Sequence, residues 1–77
     1  MTVTYDVTIG APRPLDGVLL GRTVRVTAPR HLAAYHEAAR TILLGPAPKP
    51  IVRRTSDGSG VRFALGAWTF ADVVPVP

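Results

Sequence analysis

No cysteine occurs in this chain of 77 residues, which excludes disulfides and thiolate metal sites as supports for its fold. A domain of this size buries only about 60% of the surface that its unfolded chain exposes, so association with another chain is the reinforcement left open. Carboxylates are scarce as well. Glu37 is the single glutamate, and Asp6, Asp16, Asp57 and Asp72 are the aspartates. General acid–base work needs titrating groups paired in one cleft, and with only His31 and His36 to add, the chain is expected to be non-catalytic. Those histidines lie about 140° apart around a helix of 3.6 residues per turn, so they do not share a metal as an i, i+4 pair would. Neither a metal nor a cofactor is expected, and no small-molecule substrate is evident. Long apolar runs are missing too. No stretch approaches the roughly 20 apolar residues of a membrane span, and Met1–Asp6 shows no basic-then-apolar leader, so a soluble, cytoplasmic protein is expected.

Lysine is nearly absent, Lys49 standing alone beside eight arginines in a chain of net charge +4. With the abundant Ala, Val, Pro and Gly, that bias matches GC-rich coding. It permits an anionic partner without naming one. The glycine-rich run Ser56-Asp57-Gly58-Ser59-Gly60 has neither the lysine nor the following helix of a phosphate loop. It reads as a hairpin tip instead.

What is present is a clear alternation. Val3, Tyr5, Val7 and Ile9 oppose Thr2, Thr4, Asp6 and Thr8, the pattern of a half-buried strand over residues 2–9. Pro12, Pro14, Asp16 and Gly17 then predict a loop over Gly10 to Gly17. A second strand follows from Val18 to Thr27, with Gly21 as a candidate bulge. The one helix is expected from Pro29 to Leu44, capped by Thr27 or Ala28 and ended by Gly45 in the left-handed conformation. Its apolar stripe is read as Leu32, Tyr35, Ala39, Ile42 and Leu43, opposite Arg30, Glu37 and Thr41.

Pro46, Pro48 and Pro50 keep the connection after the helix extended. Ile51–Thr55 and Val61–Leu65 form a second hairpin about the Asp57-Gly58 turn. Gly66 and Ala67 are either a turn into a fifth strand or a bulge, and Pro75 and Pro77 suit an edge or an extended tail over 72–77. The expected architecture is a single α+β domain over 1–77, β-β-α-β-β with an optional fifth strand, one helix on an antiparallel sheet.

One helix covers one sheet face, so the other face carries the functional expectation. It should display Thr2, Thr4, Asp6, Thr8, Thr23, Arg25, Thr27 and Arg62. The leading reading is a small protein-interaction module, of phage or regulatory type, that binds a larger protein and self-associates as a homodimer. The alternative is a nucleic-acid-binding domain using strand and turn arginines. Candidate contact residues under either reading are Arg25, Arg53, Arg62, Trp68 and Phe70, with the two aromatics expected in the core or at a dimer contact.

Overall fold

A computed structural model gives the chain as β1 (Val3–Pro12), β2 (Leu19–Ala28), α1 (His31–Leu43), β3 (Ile51–Arg54), β4 (Val61–Ala64) and β5 (Phe70–Pro75). It describes residues 2–54 and 60–76, the side chains of 52–54 excepted. The five strands form one antiparallel sheet in the order β2-β1-β5-β4-β3. This is the expected α+β class, with the optional fifth strand present. The Asp57-Gly58 turn lies outside the described residues, while the β3–β4 pairing on either side of it is in place.

Alternation in β1 decides which face is core. Tyr5, Val7 and Ile9 are buried, and Val24, Val26 and Ala28 of β2, Ala71 and Val73 of β5 and Phe63 of β4 join them on that side. The helix closes this layer with Ala34, Tyr35, Ala38 and Ala39. Three of these are alanines, which let the helix backbone settle close to the sheet without leaving a void. The Tyr35 ring stands 5.4 Å from that of Phe63, and its hydroxyl donates to the Pro48 carbonyl at 2.8 Å. Burial pushes its phenol pKa up. One side chain thus ties the helix to the sheet and to the proline-rich connection.

Several boundaries differ from the sequence expectation. The buried stripe is Ala34, Tyr35, Ala38, Ala39 and, half-buried, Ile42, whereas Leu32 and Leu43 are each 42% exposed. At 3.6 residues per turn these leucines sit about 100° from the stripe's centre, and the alanines that define it carry little weight in a hydropathy pattern. The helix begins after Arg30, whose side chain makes no capping bond, so neither Thr27 nor Ala28 is the cap. It ends with Leu44 in the left-handed conformation at φ 55°, the place the sequence suggested for Gly45.

Gly21 forms no bulge. The β1–β2 register runs unbroken from Val3↔Ala28 to Pro12↔Leu19 and sets Gly21 against Gly10. A Cβ on Gly10 would collide with the Leu20 carbonyl, and one on Gly21 with the Ile9 carbonyl. Close approach of the two backbones, and no extra residue, is what requires glycine here.

Residues 72–75 are no tail. They belong to β5, which lies inside the sheet between β1 and β4. Pro75 is tolerated because it lies beyond Val61↔Val73, the last β4 pair. The chain stays tethered past it through the Val76 amide, which donates to the Thr4 carbonyl at 2.8 Å.

Candidate functional site

The sheet face away from the helix is built from the other half of each alternation. Register places Thr23, Thr8, Asp72 and Arg62 in one row across β2, β1, β5 and β4, and brings Arg53 of β3 opposite Arg62. The Arg53 side chain lies outside the described residues. Along this row the Thr8 and Thr23 hydroxyls are 2.8 Å apart, and Arg62 grips Asp72 with two bonds, Nε to Oδ1 at 2.6 Å and Nη2 to Oδ2 at 2.9 Å. Such a fork-to-fork pair is geometrically specific and stronger than a neutral hydrogen bond. It also pushes the Arg62 pKa further up.

Arg62 makes two further contacts. Nη2 donates to the Gly17 carbonyl at 2.9 Å, and the guanidinium lies 5.8 Å from the centre of the Phe70 ring. The first contact means that the β1–β2 loop folds back over one end of this face, where Leu19, opposite Pro12, is buried although it points away from the helix side. That loop is held in shape by Gly17 at φ 72°, by the Arg13–Asp16 ion pair and by the Val18 amide donating to Asp16 at 3.1 Å. One row along, Arg25 pairs with Asp6 at 2.9 and 3.3 Å. Its hydrogen bond holds the Asp6 carboxyl below the ordinary carboxylate range, as Arg13 and then the Val18 amide do for Asp16.

Among the described side chains of this face, Asp6 and Asp72 neutralise Arg25 and Arg62. Asp6, Asp16, Glu37 and Asp72, the four acidic residues described, each hold an arginine. Arg25 and Arg62, both candidate contact residues, are neutralised in this way. Among the described residues Arg22, Arg30 and Lys49 have no acidic partner, and they sit on three different parts of the chain.

The aromatics separate. Phe70 is half-buried on the open face beside Arg62, opposite Gly10 and Ala64. Trp68 is not core: it stands in the turn between β4 and β5, closed by the Leu65 amide on the Thr69 carbonyl at 2.9 Å, and is 79% exposed. Gly66 and Ala67 thus begin a turn rather than a bulge.

That turn shares an end of the sheet with the β1–β2 loop and the start of β3, because Gly21, Gly10, Phe70, Ala64 and Ile51 form the last complete row. This end exposes Leu15 (93%), Val18 (51%), Leu20 (59%) and Ile51 (66%) together with Trp68. Isolated exposed apolar residues are ordinary on any protein, whereas several large ones gathered at one end mark a surface that prefers a partner. Of the five, only Trp68 stands out in the sequence as a candidate contact residue. Leu15 between Pro14 and Asp16, and Ile51 directly after Pro50, were the available signals, since a large apolar side chain within a turn motif has no alternation to bury it.

No group of three His, Asp or Glu that could hold a metal comes together among the described residues. No helix among them is long and apolar enough to cross a membrane. Comparison with known proteins finds no matching family model, no matching curated relative and no matching solved structure.

Proposed function

We propose that this chain is a non-catalytic protein-interaction module that docks on a larger cytoplasmic protein through the end of the sheet bearing Trp68. The observation that carries the reading is the exposure there of Leu15, Val18 and Trp68 on two hydrogen-bonded turns, with Leu20 and Ile51 exposed at the adjoining strand ends. Rigid turns present apolar anchors at little cost in conformational entropy, and tryptophan is among the side chains enriched at interface hot spots. Arg25 and Arg62, held by Asp6 and Asp72, are less free to contact a phosphate backbone, which favours this reading over nucleic-acid binding.

The test is capture from host lysate with and without nuclease, at two salt concentrations, by the native chain and by Trp68→Ala. One protein recovered under all four conditions, with its affinity for Trp68→Ala lowered about 30-fold or by about 2 kcal/mol, is the expected result. Recovery that nuclease or salt abolishes, and that Trp68→Ala leaves intact, replaces the reading with the nucleic-acid one.

A further inference from the structure

Strand β2 is the outer strand on its side of the sheet, and its charges, Arg22 on the helix-side face and Arg25 on the open face, are the protections it has among the described residues. It runs for 10 residues, Leu19–Ala28, pairs only with β1, and contains no proline, lysine or bulge. Among the described residues no hydrogen bond reaches its outer side. The opposite edge, β3, has 4 residues among those described and is entered through Pro46, Pro48 and Pro50. Short length, proline, bulges and charge are the usual protections of an edge, and a long, regular, unbroken strand guarded only by two arginines is a template for a strand that can accommodate them.

Symmetry and charge decide which strand fits. Antiparallel pairing of β2 with itself about a two-fold axis normal to the sheet keeps both helices on one side. Directly opposed residues then come from the same face, so the axis falls on a residue. Centring on Arg22 or Arg25 opposes like charges and shortens the overlap. Centring on Thr23 pairs Leu19–Thr27 with itself but makes the two unpartnered Arg22 side chains diagonal neighbours, about 7–8 Å apart. Centring on Val24 pairs Leu20–Ala28 with itself, sets Arg22 against Val26 of the second copy and Gly21 against Thr27, and leaves as diagonal neighbours only the Arg25 pair, each already neutralised by its own Asp6.

We propose that the partner of β2 is the β2 of a second copy, giving a dimer with one continuous ten-stranded sheet and its two-fold axis at Val24. This pairing stands independently of the docking end at Trp68. It adds to the proposed interaction role by turning the two Trp68 ends in opposite directions, so that the dimer is bivalent.

Because the chain has no cysteine, a single introduced one reports the axis directly. Only a residue on the axis brings its own copy within the Cα separation of about 4.4–6.8 Å that a disulfide tolerates. Val24→Cys, Thr23→Cys and, on the exposed helix face, Thr41→Cys are oxidised at equal concentration and compared by non-reducing electrophoresis. The expected result is that Val24→Cys forms covalent dimer at least tenfold faster than the other two. Faster cross-linking at Thr23 or Thr41 overturns the proposal. So does a native chain that sediments as a monomer at 100 μM, on the order of the concentrations where weak edge pairing is seen. If Val24→Cys does not fold, a half-isotope-labelled native dimer gives the same answer. Contact between the Val24 protons of the two copies supports the pairing, and its absence contradicts it. Sedimentation of Trp68→Ala as an unchanged dimer separates this proposal from partner docking, which that substitution weakens.

Discussion

Arg62 and Asp72 face each other directly on neighbouring strands and join through two hydrogen bonds, with side chains only 27% and 21% exposed. Arg25 and Asp6 repeat the pairing on the other side of β1, with side chains 63% and 40% exposed. Solvent screens the second pair far more than the first. Arg62→Ala should therefore cost about 2–3 kcal/mol in urea denaturation, since it strands Asp72 and removes the tie to Gly17, whereas Arg25→Ala should cost far less. A double-mutant cycle should give the larger coupling to the 62–72 pair.

Two glycines with opposite surroundings test the close approach of β1 and β2. Gly10→Ala places a methyl into the backbone of β2 and should destabilise by about 2 kcal/mol or more, as forced overpacking does. Gly66→Ala meets nothing within 4 Å and should change stability by no more than about 0.5 kcal/mol. Thermal melts of the two variants check both.

The helix contact gives a third expectation. Tyr35→Phe keeps the packing against Phe63 but leaves the Pro48 carbonyl without its donor, a loss of about 1 kcal/mol. Tyr35→Ala should cost about 3–5 kcal/mol. Leu32→Asp should leave the fold intact, because Leu32 lies on the helix flank. Circular dichroism and denaturant midpoints distinguish the three.

Acid should weaken the domain in a defined direction. Asp6 and Asp16 have folded pKa values lowered from 3.8 by their arginine hydrogen bonds. Their contribution is therefore fully present above about pH 4 and is lost as pH falls further, through the lowered folded values. Both sites are exposed, so the effect should be small and should shrink in high salt. Asp6→Asn with Asp16→Asn should flatten the acid limb of a stability-versus-pH curve.

Much of the architecture was legible in the sequence because period-2 alternation in Val3–Ile9 and Val24–Val26 survives into the fold, and because Pro12, Pro14, Asp16 and Gly17 mark the reversal between β1 and β2. Helix details were less legible. Alanines at 34, 38 and 39 carry the contact with the sheet, and their value comes from smallness, which a hydropathy pattern does not register. The tail expectation failed on the same kind of non-local fact: Asp72 and Val73 look terminal in the chain but lie between β1 and β4 in space. Of the candidate site, the open-face arginines were legible by parity. That Asp6 and Asp72 neutralise them depends on cross-strand register, which strand lengths alone do not fix. The apolar end was hidden for the same reason, since Leu15, Ile51 and Trp68 are far apart in sequence and meet at one end only through the strand order.

Trp68 is the chain's one tryptophan, so it also provides the most direct measurement of the central claim. Incorporating fluorotryptophan gives the chain a single fluorine resonance, which can be followed in the free protein and in the purified complex with its captured partner. Free, the resonance should shift on exchanging water for deuterium oxide, as an indole 79% exposed requires. In the complex that solvent sensitivity should disappear and the resonance should move, because docking removes the ring from water. A resonance with unchanged position and solvent sensitivity in a stable complex would contradict the account, placing the partner elsewhere on the protein.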